Sequence, residues 1–300
     1  MVQSLSTILW SSHYCLRRDG VIVNHINKQK PNEGEELIVQ CNGQSNPVLK
    51  DDDITWTKQN NNTFQQTGKQ LVIKNVNRLD TGNYICNAVI TLLPSVGSAT
   101  VVIGTTLVEV DVIYRPSVVV SPYYNPFNVI ENKTNLQLTC AVTESKPSVT
   151  SFRWYKDGSI ISTTAIYTIP IVKQSNSGRY TCDATNDVGS SGLSTSLILN
   201  VLYGVTVVSI SKQEPSEGNE LLITCDAQSN PAYTDNDVSW TKEHNTTFKR
   251  SGKHLVINNI NRFDNGTFTC IVTLTLTPSI GQAVDVQGTT NVEIDVLCKY

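Results

Sequence analysis

The sequence predicts an all-β chain of three tandem modules laid end to end as an extended rod, and three observations predict it. Six of the eight cysteines fall into pairs, Cys41/Cys86, Cys140/Cys182 and Cys225/Cys270, separated by 45, 42 and 45 residues. Sliding the sequence by 184 residues gives an ungapped match that begins with Gly20-Val21 against Gly204-Val205 and runs through "VEVDV" (108–112) against "VEIDV" (292–296). Within each module the apolar residues alternate with a period of two, as in "ELIVQC" and "LQLTC", and no stretch carries a helical period.

The cysteine pairs come first, because they set the compartment. Zinc sites use tight C-x-x-C or H-x-x-x-H clusters, which are absent. Cysteines paired at long, repeated intervals read as disulfides, and disulfides place the chain in an oxidising compartment. Each bridge closing such a loop stabilises by about 4 kcal/mol on the loop-entropy account. Four sequons agree with export: Asn61-Asn-Thr, Asn132-Lys-Thr, Asn245-Thr-Thr and Asn265-Gly-Thr. Asn61 and Asn245 sit at equivalent points of the repeat. The predicted location is extracellular, secreted or as a cell-surface ectodomain.

The repeat then sets the modules. "LVIKNVNRLDTGNYIC" (71–86) returns as "LVINNINRFDNGTFTC" (255–270), and an altered form, "YTIPIVKQSNSGRYTC" (167–182), stands between them. The repeating unit is therefore two modules long, and the chain holds one and a half units. The predicted boundaries are 20–115, 116–203 and 204–300. Residues 1–19 are expected to be a leader or other non-domain segment, and they make a poor export signal, because they lack a basic start and "STILW" is short for a signal-peptide core. The joints "VEVDVIYRPSVVV" and "LILNVLYGVTVV" contain no Gly/Ser tether, so the modules are expected to stack with little bending into a rod of roughly 100 Å. Cys15 and Cys298 stand outside the pairing pattern, and a longer parent array is expected.

Short strands with Asn, Asp, Gly and Pro between them fill each module. Trp56 and Trp154 follow the first cysteine of their modules within "ITWTK" and "FRWYK", and Trp240 repeats Trp56. A D-x-G turn leads into Tyr84-x-Cys86. This succession of Cys, Trp and D-x-G-x-Tyr-x-Cys resembles the immunoglobulin superfamily, and "CDATNDVGSSG" resembles its I-set or C2-type domains. The resemblance implies β-sandwich modules in which Trp56, Trp154 and Trp240 pack on inter-sheet disulfides and a tyrosine hydroxyl ties the corner before the second cysteine. Phe268 replaces that tyrosine in module 3, so a bond worth about 1 kcal/mol is expected to be missing there. Asn176 stands in module 2 where the others have Asp80 and Asp264.

Composition and motifs exclude several functions. A net charge of −3 with no basic run gives no nucleic-acid footprint. No apolar stretch approaches the roughly 20 residues of a membrane-spanning helix. There is no H-E-x-x-H, Gly-rich phosphate loop or G-x-S-x-G, so no enzyme, cofactor or catalytic residue is expected. Asp51-Asp52-Asp53 and Asp235-Asn236-Asp237 suit a calcium ion by charge, but no ordered motif supplies the further oxygens, and a solvated loop is the simpler reading.

One segment remains. After the second cysteine, modules 1 and 3 carry a longer excursion than module 2, turning near Pro94-Ser95-Val96-Gly97 and Pro278-Ser279-Ile280-Gly281. The simpler reading has Leu92, Val96, Val101 and Ile103 extend the sheet and pack inward. The functional reading makes the apolar tip, with Leu93, Pro94, Val96, Pro278 and Ile280, a contact for a partner. The chain resembles tandem-domain adhesion proteins of this superfamily such as hemicentins, carcinoembryonic-antigen-type and nectin-like proteins or invertebrate immune receptors, which implies adhesion or recognition through a protein or glycan partner, homophilic or heterophilic. The alternatives are a matrix spacer array and the ectodomain of a receptor kinase or phosphatase.

Overall fold

The computed structural model describes residues 20–93 and 97–298. Module 1 comprises β1 (Ile22–Val23), β2 (Leu37–Gln40), β3 (Gly43–Gln44), β4 (Ile54–Lys58), β5 (Asn61–Thr67), β6 (Gln70–Ile73), β7 (Gly82–Leu92) and β8 (Thr100–Val110). Module 2 comprises β9 (Tyr114–Ser121), β10 (Phe127–Ile130), β11 (Thr134–Lys146), β12 (Ser151–Lys156), β13 (Ser159–Ser162), β14 (Ile166–Ile171), β15 (Gly178–Asn186), β16 (Gly189–Ser190) and β17 (Leu197–Val207). The last of these continues through the joint into module 3, which adds β18 (Leu221–Thr224), β19 (Ala227–Asn230), β20 (Val238–Lys242), β21 (Asn245–Ser251), β22 (His254–Ile257), β23 (Gly266–Leu276) and β24 (Val284–Ile294). The chain is all-β, and it divides into two compact units after Arg115.

Each module closes around its own core. In module 1 the sheet β5-β4-β7-β8 faces the pair β2-β6, and module 3 repeats this as β21-β20-β23-β24 facing β18-β22. The period-two pattern explains the layering. Tyr84, Cys86, Ala88 and Ile90 alternate inward along β7 and are buried, while their neighbours point out. Trp56, Trp154 and Trp240 are fully buried and lie in register with Cys86, Cys182 and Cys270. The bridges are Cys41–Cys86, Cys140–Cys182 and Cys225–Cys270, each joining the two layers of one module.

The modules differ in the polar ties of that core. The indole of Trp56 donates to the Gly68 carbonyl and that of Trp240 to Gly252, both at 3.1 Å, whereas the indole nitrogen of Trp154 is buried without a partner. The corner hydroxyl of Tyr84 donates to the Asp80 carbonyl at 3.0 Å and that of Tyr180 to Asn176 at 2.8 Å. Phe268 occupies the same buried place with no hydroxyl to give. Asn176 still does the work of its aspartate counterparts, because its Oδ1 accepts from the Lys173 amide at 2.7 Å as Asp80 accepts from Asn77.

Candidate functional site

The long excursions of modules 1 and 3 are two-stranded extensions of the sheet. β7 pairs with β8 from Gly82↔Val110 to Leu92↔Thr100, and β23 with β24 from Gly266↔Ile294 to Leu276↔Val284. The first strand of each module crosses the hairpin where a glycine admits it. A Cβ on Gly104 would lie 2.6 Å from the Val21 carbonyl oxygen, and one on Gly288 would lie 2.8 Å from that of Val205. The two hairpins thus share backbone, register and crossing point.

Their outward faces do not match. In module 1 the outward cross-strand pairs from Ile85 to Thr91 are Ile85↔Leu107, Asn87↔Thr105, Val89↔Ile103 and Thr91↔Val101, three of the four with an apolar member on β8. Val101 and Ile103 are each 60% exposed, and Leu107 and Val89 are exposed too. Expected to pack inward, Val101 and Ile103 instead point to solvent, because Gly104 and Val108 take the inward phase of β8. At the same register module 3 has Thr269↔Asn291, Ile271↔Thr289, Thr273↔Gln287 and Thr275↔Asp285, with Ile271 the one apolar member. Two of these pairs are hydrogen-bonded, Thr269 Oγ1 to Asn291 Oδ1 at 2.9 Å and Thr275 Oγ1 to Asp285 Oδ1 at 2.6 Å. Either set of pairs supports a ladder. The sheet therefore does not require apolar residues on this face, yet module 1 has them.

Pro94 and Val96 lie outside the described residues, while Leu93 is 81% exposed. In module 3 the tip lies on module 2. Ser279 donates its amide to the Asn128 carbonyl at 2.9 Å, and its hydroxyl accepts from the Asn128 amide at 2.9 Å. Both backbone groups of Asn128, on the outer edge of β10, are thereby paired, which covers part of an edge strand. Pro278 and Ile280 sit beside Lys133 and Asn132 of module 2. An amide relay backs this contact: Asn230 Nδ2 donates to Asn200 Oδ1 at 2.8 Å, and Asn200 Nδ2 donates to Asn128 Oδ1 at 2.9 Å.

The remaining sequence candidates are dispersed. Asn61, Asn132, Asn245 and Asn265 are all exposed. Asn61 and Asn245 each accept from the hydroxyl of their own sequon threonine, at 2.7 and 2.8 Å, and Asn265 Oδ1 accepts from the Val296 amide. Asp53 and Asp237 accept backbone amides of their own turns, from Lys50 and Thr234. Among the described residues no group of three His, Cys, Asp or Glu is arranged to hold a metal, and no helix is long and apolar enough to cross a membrane. Cys298 is exposed and unpaired, and Cys15 lies outside the described residues.

One cluster escaped the sequence reading. Arg153 forms a two-pronged contact with buried Asp183, Nε to Oδ1 at 3.0 Å and Nη2 to Oδ2 at 2.8 Å, and Tyr155 donates to the same carboxylate at 3.0 Å. The signal was present: Arg153 precedes Trp154 and Asp183 follows Cys182, so the register Trp154↔Cys182 sets Arg153 opposite Asp183. Its contacts are all satisfied within module 2, so it braces the sheet.

Comparison with known proteins decides the family. An immunoglobulin-domain model matches residues 115–201 and 206–288, and a second one matches 21–89. The chain belongs to the immunoglobulin-domain family. Among curated relatives it is 27% identical to the B-cell receptor CD22 of Mus musculus over 269 residues, covering 88% of this chain and 29% of that protein. It is 28% identical to Kin of IRRE-like protein 1 of Homo sapiens over 223 residues, covering 73% of this chain and 27% of the relative. Cell adhesion molecule 4 of Homo sapiens is 28% identical over 154 residues, 45% of this chain and 39% of that one. The chain thus spans well under half the length of these relatives. The full ectodomain of mouse nectin-like molecule 4 superposes with a TM-score of 0.54 at 16% identity, covering 91% of this chain and 98% of that one. The eight N-terminal domains of Down syndrome cell adhesion molecule give 0.52 at 22% identity, with 92% and 36% covered. These two likenesses concern the fold.

Proposed function

We propose that this chain is an extracellular cell-adhesion or recognition segment that binds a protein partner, a second copy of itself included, through the outward face of β7 and β8 in module 1. The observation that carries the reading is the exchange of surface on one skeleton: Val89, Val101, Ile103 and Leu107 stand exposed where module 3 carries Thr273, Asp285, Gln287 and Asn291. Contact surfaces are depleted of charge at their centre and enriched in apolar area, and large exposed apolar patches on soluble modules mark such contacts. The three disulfides support an oxidising, extracellular setting. Relatives named as adhesion molecules and as a B-cell receptor support the class.

The test transplants module 3's own residues. In the full chain, Val101→Asp with Ile103→Gln is compared with wild type in bead aggregation and in binding to cell surfaces. Loss of one or two central apolar contacts weakens association by about tenfold or more, while the melting temperature stays within about a degree because neither side chain enters the core. Unchanged association in the double variant, or wild-type protein that folds yet neither aggregates beads nor binds cells, would remove this reading in favour of a spacer array.

A further inference from the structure

The turn from β10 to β11 differs from its counterparts at one telling position. In modules 1 and 3 this turn places Gly34 and Gly218 at φ +89° and +86°, and their amides donate to the carbonyls of Val76 and Ile260, both at 2.7 Å. In module 2 the same bond runs from the Asn132 amide to the Val172 carbonyl at 2.8 Å, and Asn132 adopts φ +67°. Asparagine is one of the few residues with a side chain that accept this left-handed backbone. It also opens the sequon Asn132-Lys133-Thr134 and stands exposed on the turn.

Asn132 lies where modules 2 and 3 meet. It borders a groove of about 280 Å³ whose other walls include Ile130, Lys133, Pro278, Ile280 and Gln282. Lys133 and Ile280 also border a second groove of about 300 Å³, lined further by Asn128, Phe127 and Pro122. Ile280 is 57% exposed although its neighbour Ser279 is bonded to Asn128. Space of this size suits a single sugar ring rather than a drug-sized ligand. The other three sequons are engaged within their own modules: Asn61 and Asn245 bond their sequon threonines, and Asn265 takes the Val296 amide.

We infer that Asn132 carries an N-linked glycan whose first N-acetylglucosamine lies in this groove and holds the tip of module 3 against module 2. In the modification Asn132 Nδ2 forms a bond to C1 of the sugar and gives up one proton. The C1–O bond to the pyrophosphate of a lipid-linked oligosaccharide donor breaks, and the pyrophosphate leaves with that electron pair. The C–H face of the ring rests on Pro278 and Ile280, which removes apolar surface from water. Lys133 and Gln282 supply polar partners for its N-acetyl and hydroxyl groups. Because the sugar is tethered to one module and rests on the next, the contact is intramolecular, and a weak one suffices to add to the hydrogen bonds of Ser279. The inference goes beyond the proposed binding face and does not use it, so failure of either reading leaves the other standing.

The test uses the full chain secreted from eukaryotic cells, with its sequons mapped by mass spectrometry. Asn132 should be occupied. In the native protein an amidase that cuts the asparagine–sugar bond should release the Asn132 glycan about tenfold more slowly than those of Asn61 and Asn245, and equally fast after denaturation. Ile280→Ser, at an exposed position, should bring the native rate at Asn132 up to the others with unchanged circular dichroism. Thr134→Ala, which abolishes the sequon but keeps Asn132, should speed hydrogen exchange at the Ser279 amide about threefold. A bare Asn132 overturns the proposal, as does release as fast as from Asn61 or slow release that Ile280→Ser leaves unchanged. Exchange at Ser279 indifferent to Thr134→Ala overturns it too, because the sugar would then hold nothing.

Discussion

Val89 faces Ile103 across β7 and β8, and at the matching place in module 3 Thr273 faces Gln287 across β23 and β24. Inside the same two hairpins Tyr84, Cys86 and Ala88 are matched by Phe268, Cys270 and Val272, all buried. The two modules agree in their cores and crossing glycines and disagree on the outside. Inward positions are held by packing density, since a change of even one methylene is felt there. Outward positions are free to follow use, and in module 1 they have become apolar. The tip of module 3, for its part, is paired with the edge of β10 through Ser279 and Asn128.

The largest break in the comparison should come from Ser279. Its hydroxyl accepts the Asn128 amide, so Ser279→Ala leaves that donor unmet on a half-buried edge. A stranded donor costs about 1–3 kcal/mol. Hydrogen exchange at Asn128 should accelerate about tenfold or more, while amides of module 1 keep their rates. Equal protection in the variant would mean that the tip merely lies near β10 without holding it.

Much of this was legible in the sequence, and the unread part has a physical reason. Cys41, Trp56 and Cys86 announce a sandwich because their spacing reflects strands that must cross the core, and spacing is a one-dimensional property. The exposed phase of Val101 and Ile103 was harder to read. A run such as "TVVIGTTLVEV" is apolar at both phases, so alternation alone leaves open which residues face in. Gly104 marks the inward phase because Val21, 83 positions away, comes so close that a Cβ there would clash. The docking of Ser279 on Asn128 joins residues 151 apart, and no local pattern signals it. Asp183 was the missed case that a register argument reaches.

A smaller effect separates the corners. Tyr84→Phe gives module 1 the corner of module 3 and should cost about 1 kcal/mol, the net worth of one hydrogen bond. Phe268→Tyr should recover a similar amount if the hydroxyl reaches the Asp264 carbonyl. Chemical denaturation of both variants checks this, with the slope against denaturant unchanged. A cost-free Tyr84→Phe would show that the corner is held by its turn alone.

The smallest effect is one of alkaline pH, and it follows from the same corner. Burial pushes the Tyr84 phenol up to about 12, and the nearby Asp80 carboxylate adds to the rise. Lys58, whose ammonium sits 5.1 Å from the ring centre, is itself held below its ordinary value by burial. A phenol that resists ionisation in the fold but ionises near pH 10 when unfolded favours folding fully below that pH. The contribution is lost as pH rises from about 10 towards 12, where the unfolded chain releases the proton first. Tyr180 is raised in the same direction by burial, with Tyr167 and Asp157 adding to it, so module 2 should follow module 1. Module 3 has no corner phenol to lose. Melting at pH 8 and pH 11 should therefore show Tyr84→Phe closing much of its gap to wild type at the higher pH, since ionisation of the phenol in the unfolded chain penalises folding of the wild type and has no counterpart in the variant. A gap that stays constant between the two would mean that the Tyr84 phenol ionises alike in the folded and unfolded chains, against the rise that burial gives it.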